Sequence, residues 1–345
     1  MGVEQKTLTF GSFPAGERNL ITDVPGVRVG HVTLSDGDVQ TGVTAIIPAE
    51  GNLFAQKVPA ACHVINGVGK AAGLVQVQEL GTIETPIVLT NTFGVGTGVN
   101  ALIRYSLADN EDIGLTTGTV NPVVLECNDG RLNDIRGMHV TEGDVNAALA
   151  AASDRFAEGA VGAGRGMCCY GLKGGIGSAS RVIEIGGKAY AVGALLLTNF
   201  GQTVDLRVGG SPLGQKIAEG PARADKGSCV VILATDIPLS CRQMGRVCRR
   251  AQSGLARTGA YISSGSGEMA VMFSTGARVP HYGREAFATT QVLQENLLDL
   301  VFRAVADCVE ESVISSMLHA ETVTGRAGNQ GKSLGQRLEE CGITL

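Results

Sequence analysis

Tryptophan is absent from this 345-residue chain, and all aromatics together make up 4% of it. Sites that read sugars or bases by stacking need flat aromatic faces, so that class of ligand is disfavoured. No basic block occurs and the formal charge is −5, which argues against nucleic acid as a partner. The longest apolar run, "AYAVGALLL" from Ala189, is too short to span a bilayer, so no membrane partner is expected. The opening "MGVEQKTLTFGSFPAGERN" lacks the apolar core of a signal peptide. A cytoplasmic protein is expected. The nine cysteines form no C-x-x-C pair and are odd in number, and the five histidines lie far apart without metal spacing. These cysteines read as small buried hydrophobes in a reducing compartment, and no metal or other cofactor is expected.

What the chain has in excess is glycine, 49 residues, about twice average usage. The glycines follow no strict period and sit between apolar runs, as tight turns and close backbone approaches require. Apolar residues make up 44%, enough for a large core.

Strand-like and helix-like runs alternate. "GVRVGHVTL" and "GVTAIIPA" read as early strands, and "TPIVLTNTFGVG" as a buried strand entering a glycine-rich turn. "RVIEIGGKAYAVGALLLTNFG" reads as a hairpin about Gly186-Gly187. Thr141 and Asp144 have capping-box spacing at the head of an Ala-rich helix over 141–159. Asp236 is placed to cap a second helix with Pro238 in its first turn. Met244, Val247, Cys248, Ala251 and Leu255 form the apolar stripe of that helix, and Gly259 ends it. The segment 290–321 is the strongest helix, and the tail from Gly328 reads as polar and peripheral. No linker or repeat divides the chain, so one layered α/β domain over residues 1–345 is expected.

Two glycine-rich stretches invite nucleotide readings and fail them. In "GRAGNQGKS", Gly325 and Gly331 enclose five residues, where a Walker A loop needs four. "GAGRGMCCYGLKGGIGSASR" lacks the strand-to-helix context of a dinucleotide fingerprint and reads as backbone packed on backbone. Cys168 or Cys169 could serve as a nucleophile, but no histidine lies near in sequence.

A third stretch is informative. In "KGSCVVILATD" a Gly-Ser pair, Gly227-Ser228, stands at the mouth of a buried strand. Such a serine can simply begin a strand after a turn. A cut between Gly227 and Ser228 would instead leave Ser228 with a hydroxyl nucleophile and a free α-amine of pKa near ~8, able to act as its own base. Ser228 Oγ could make that cut by attacking the Gly227 carbonyl, which carries no side chain to obstruct it.

"NLITDVPGVRVGHVTL", "TPIVLTNTFGVG", "LECNDGRLNDIRG", "GAGRGMCCYGLKGGIGSASR", "GSCVVILATDIPL" and "SGSGEMAVMFSTG" occur in that order. Together, over about residues 19–330, they resemble the L-aminopeptidase/D-esterase and β-peptidyl aminopeptidase family. The resemblance implies a four-layer α/β/β/α sandwich like that of N-terminal nucleophile hydrolases, with different strand connectivity. It implies self-cleavage into residues 1–227 and 228–345, and an oligomer of such pairs. Carried over by position, Ser228 matches the nucleophile. Ser266 and Glu268 match the residues that activate it, and Asn199 matches the side-chain donor of the oxyanion hole. Glu126 matches the carboxylate that holds the substrate's free amine. Structural readings stand beside these: Asn199 as the cap of a hairpin end, Glu126 as an ordinary ion-pair partner.

The chain departs from the family pattern at two positions. Lys70 follows "NGVG" where an acid is expected, and Arg131 follows "NDG" where an aromatic is expected. Both change the charge of any pocket they line and point to small, acidic or dipeptide-like amines. The activity implied is an aminopeptidase acting on small peptides or amino-acid amides, and on esters. The alternatives are an amidase of the same fold, a non-catalytic scaffold, or an acyltransferase of the ornithine acetyltransferase type. The last uses an N-terminal threonine, which Ser228 is not.

Overall fold

The computed structural model describes residues 8–220, 227–283 and 285–345. Among them, two β-sheets lie face to face. One runs in the order Arg28–Asp36, Val39–Ile47, Ile87–Asn91, Val123–Cys127, Ala71–Ala72. The other runs Gly175–Ile185, Lys188–Asn199, Ser228–Thr235, Gly267–Ser274, Gln56–Gly67, Val279–Pro280, and Thr82–Ile83 also pairs with Gln56–Gly67.

Side-chain alternation builds the layers. In strand Ser228–Thr235, Val230 and Ile232 pack with Leu195, Leu197, Leu89 and Leu125 between the sheets. Their neighbours Val231 and Leu233 pack with Val301, Val305 and Val309 of helix Leu298–Leu318. Both faces of the strand are covered, which is why "CVVILA" reads as an unbroken apolar run rather than an alternating one. Each such side chain contributes roughly 1.5–3 kcal/mol of burial. On the outer face of the first sheet, Val43, Ala45, Val88 and Val124 meet helices Val95–Ala108 and Glu142–Ala150. The result is the α/β/β/α sandwich expected from sequence.

The Gly186-Gly187 hairpin forms with φ of +59° and +78° at the two glycines, the left-handed pair that a tight hairpin turn requires. The Thr141/Asp144 capping box also forms, but its helix stops at Ala150 rather than running to 159. The helix after the central strand differs more. Ser240, not Asp236, caps it, in a capping box with Gln243. Asp236 instead accepts the backbone N–H of Ala191 at 2.8 Å, holding a neighbouring strand. The helix also breaks into Cys241–Cys248 and Ala251–Arg257.

The tail is not peripheral. Leu334 and Leu338 of helix Leu334–Cys341 are buried in the core, and Lys173 N–H donates to Lys332 O at 2.7 Å. All nine cysteines are free: five are buried, three are half-buried, and Cys241 is exposed. Among the described residues no helix is long and apolar enough to cross a membrane.

Candidate active site

Strand register assembles the site. Ser228 opens its strand opposite Asn199, the last residue of the antiparallel strand on one side. On its other side it pairs with Gly267, the first residue of a parallel strand. Glu268 pairs in turn with Asn66 at the end of the next strand, beside a β-bulge. Strand ends thus bring Asn199, Ser228 and Glu268 to one end of three adjacent interior strands, although they are far apart in the chain.

Ser228, Ser266, Glu268, Asn199 and Glu126 are all buried. Ser266 Oγ lies 2.9 Å from Glu268 Oε2 and 2.8 Å from Ser263 O, so one hydroxyl proton is shared between two acceptors. The turn carrying Ser266 is braced by Asn66, whose Nδ2 donates to Ser263 O at 2.9 Å and also to Ser266 O. Asn66 is a site residue that sequence reasoning missed, since its partners lie some 200 positions away.

Asn199 is held from both ends of its amide. Its Oδ1 accepts the backbone N–H of Cys168, and its Nδ2 donates to Asn128 O, each at 2.9 Å. The amide keeps one further N–H beyond the bond to Asn128. Cys168 therefore enters the site through its backbone N–H. Its neighbour Cys169 is buried, as are Cys127 and Cys229, whose thiols burial pushes well above their usual range. A buried thiol held protonated is a poor nucleophile.

The glycine-dense segment does hold backbone against backbone. A Cβ on Gly175 would lie 2.0 Å from Gly159 O, and one on Gly177 would lie 1.9 Å from Ser312 O. Lys173 fastens this segment: its buried Nζ donates to the carbonyls of Gly164, Met167 and Gly174 at 2.8, 2.7 and 2.6 Å.

The Gly227–Ser228 peptide has its own constraints. Gly227 O accepts the backbone N–H of Gly267 at 3.2 Å. A Cβ on Gly227 would lie 2.0 Å from Asn199 O and 2.4 Å from Phe200 Cα, so only glycine fits there without displacing the backbone.

Glu126 lies near the end of strand Val123–Cys127 in the facing sheet. Lys70 N–H donates to its Oε1 at 2.8 Å, and Thr92 Oγ1 donates to Oε2. It is thus held by hydrogen bonds, and no salt bridge to it is found among the described residues. Lys70 approaches Glu126 with its backbone, so the departure at this position leaves the carboxylate's support intact. Arg131 lines a cavity of about 740 Å³ together with Asn128, Cys168, Asn199 and Gly227. Residues 221–226, which join Gly220 to Gly227 on its wall, lie outside the described residues.

Residues 19–331 match the sequence model of peptidase family S58. The β-peptidyl aminopeptidase BapA of Sphingosinicella microcystinivorans is 39% identical over 341 residues, spanning 91% of this chain and 84% of BapA. The crystal structure of the PH0078 protein from Pyrococcus horikoshii OT3 matches with a TM-score of 0.94 and 50% identity, covering 99% of this chain and 98% of that one. The L-aminopeptidase D-Ala-esterase/amidase of Ochrobactrum anthropi is described as a prototype for the serine aminopeptidases and a new variant among the Ntn hydrolase fold. It matches with a TM-score of 0.90 and 36% identity, covering 97% of this chain and 96% of that one.

Proposed function

The chain belongs to peptidase family S58, and from that premise we propose that it is a self-processing aminopeptidase whose nucleophile is Ser228. The observation that carries this reading is the placement of Ser228. It opens a buried central strand directly between Asn199 and Gly267, behind a residue that only glycine can occupy.

Two steps follow from that placement. In the first, Ser228 Oγ attacks the Gly227 carbonyl, whose oxygen Gly267 N–H already polarises. The C–N bond breaks, the nitrogen leaves as the α-amine of Ser228, and water hydrolyses the ester that remains. In the second, that amine takes the Oγ proton as Ser228 attacks a substrate carbonyl. The proton passes to the leaving amine, and water releases the acyl group. Glu268, joined to Ser266, stands one strand away and favours the protonated amine once it forms. Asn199 offers its remaining N–H to the oxyanion. Glu126 pairs with the substrate ammonium.

The test is a panel of amino-acid p-nitroanilides, each free and N-acetylated. Cleavage of the free forms alone is expected, because acetylation removes the charge that Glu126 needs and leaves a buried carboxylate without it. Equal cleavage of both forms would take Glu126 out of this role and make the protein a general amidase.

A further inference from the structure

On the aminopeptidase reading above, in which Asn199 donates to the oxyanion, we propose that Lys173 is the positioning residue for that donor. Its ammonium fixes and polarises the peptide unit that holds the Asn199 amide. That unit is Met167–Cys168. Its carbonyl oxygen accepts Lys173 Nζ–H at 2.7 Å, and its N–H donates to Asn199 Oδ1 at 2.9 Å. One peptide thus faces a cation at one end and the site amide at the other. Asn199 and Ser228 are direct partners across two antiparallel strands. Such partners project their side chains from the same face, with Cβ atoms about 4.5–5.5 Å apart. Ammonium, peptide and carboxamide therefore run in series to the flank of the nucleophile.

The partners of Lys173 define its state. Its buried Nζ donates to the carbonyls of Gly164, Met167 and Gly174, and three acceptors use three N–H donors, which only the ammonium has. Burial lowers its pKa to about 7, so the charged form prevails below that pH. Arg165 and Glu321, whose fields reach it, pair with each other at 2.5 Å. Backbone closure gives no reason for a charge here. Gly174 N–H already bonds Met167 O at 3.2 Å, and Cys168 pairs with Lys173 across a short antiparallel ladder. Hydrogen bonds in a chain polarise one another. Electron density drawn toward Met167 O makes Cys168 N–H a stronger donor, and a stronger bond at Asn199 Oδ1 does the same for the hydrogens on Nδ2. Asn128 O takes one of these at 2.9 Å, which leaves the other for the oxyanion. No proton moves along this chain.

The experiment measures alanine p-nitroanilide turnover and the rate of self-cleavage at pH 6.5. It compares wild type, Lys173→Met, Lys173→Gln, Asn199→Ala and the double variant Lys173→Met/Asn199→Ala. Loss of an oxyanion donor costs roughly a hundredfold to a thousandfold. Lys173→Met weakens that donor without removing it, so kcat is expected to fall by about tenfold with KM little changed. Self-cleavage should stay near the wild-type rate, because Gly267 N–H, not Asn199, is bonded to the Gly227 carbonyl. In the Asn199→Ala background, Lys173→Met should cost less than about twofold, since the two residues act through one bond. Lys173→Gln keeps N–H donors in the cage without the charge and should fall between wild type and Lys173→Met. It carries the comparison should Lys173→Met not fold, and the appearance of two chains shows that a variant has folded around Ser228. Equal losses from Lys173→Met in both backgrounds, or a parallel fall in self-cleavage and turnover, overturn the role of Lys173 and leave the aminopeptidase reading in place. Wild-type turnover in Asn199→Ala overturns the donor role of Asn199 and this proposal with it.

Discussion

Gly267 donates its backbone N–H to the carbonyl oxygen of Gly227 across 3.2 Å. The same register that places Gly267 beside Ser228 thus aims a fixed donor at the carbonyl proposed to be cut. Its rigidity comes from crowding, since a Cβ on Gly267 would lie 2.4 Å from Val68 O and 2.9 Å from Val68 C. Gly267→Ala must push this strand end away from Val68 and misalign the donor. Loss of one such donor costs roughly a hundredfold to a thousandfold in rate where it has been measured. The appearance of the shorter chain over time, followed on denaturing gels, should slow by at least about tenfold. A wild-type time course in Gly267→Ala would remove this N–H from the cleavage step.

Glu268 and Ser266 should act together. Glu268→Gln keeps the side chain's size but loses the charge proposed to favour the protonated Ser228 amine. Self-cleavage and p-nitroanilide turnover are both expected to fall by about a hundredfold, the range of a positioned acid–base group. Ser266→Ala removes one hydroxyl from Glu268 but leaves its charge, so a smaller loss is expected. Turnover of Glu268→Gln at the wild-type rate would contradict the role assigned here. Because the two side chains share a hydrogen bond, the double variant should lose less than the sum of the two in ΔΔG‡.

His31 predicts an acid-labile step in stability. Its Nε2 faces Ala157 O at 3.1 Å, and its Nδ1 faces Thr44 Oγ1 at 2.9 Å, which in turn accepts Ala163 N–H. Burial lowers the imidazole to a pKa of about 4 from its ordinary 6.5. The unfolded chain therefore binds more protons between these values. Stability contributed by neutral His31 is present above pH 6.5 and is lost as the pH falls through 4. The loss attributable to this group is up to about 3 kcal/mol. Asp129, raised by burial to about 6, titrates in the same range with the opposite sign, so the difference between wild type and variant isolates His31. Guanidinium melts at pH 7 and pH 4 should show a smaller acid loss in His31→Gln than in wild type. An equal loss would mean that the imidazole does not set this transition.

The parts of the fold legible in the sequence are those with a local cause. Gly186-Gly187 dictates its hairpin, Thr141 and Asp144 their capping box, and the apolar run after Ser228 a strand covered on both faces. The errors arose where a nearer or stronger partner took a residue away from its local role. Asp236 was spaced to cap a helix, but Ala191 N–H on the adjacent strand claims it, and Ser240 with Gln243 makes the better cap. The tail carries many polar residues, yet Leu334 and Leu338 fall on one helical face and complete the core. At the site, motif resemblance singled out Ser228, Ser266 and Glu268, and the structure places them on adjacent strand ends. The supports of those strand ends were not legible. Asn66 under the Ser266 turn and Lys173 under the Cys168 segment act on backbone carbonyls, and no side-chain pattern records which carbonyls a fold will bring near.

The central claim is that Ser228 becomes an N-terminus, and intact-mass measurement with a denaturing gel tests it most directly. Purified protein should give two chains, residues 1–227 and 228–345, that co-elute under native conditions. Co-elution is expected because the sheet interleaves them: the strand ending at Asn199 and strand Gln56–Gly67 belong to the longer chain, and they enclose strands Ser228–Thr235 and Gly267–Ser274 of the shorter one. Ser228→Ala should remain a single chain of 345 residues. A wild-type preparation that stays at full length after prolonged incubation would contradict the account.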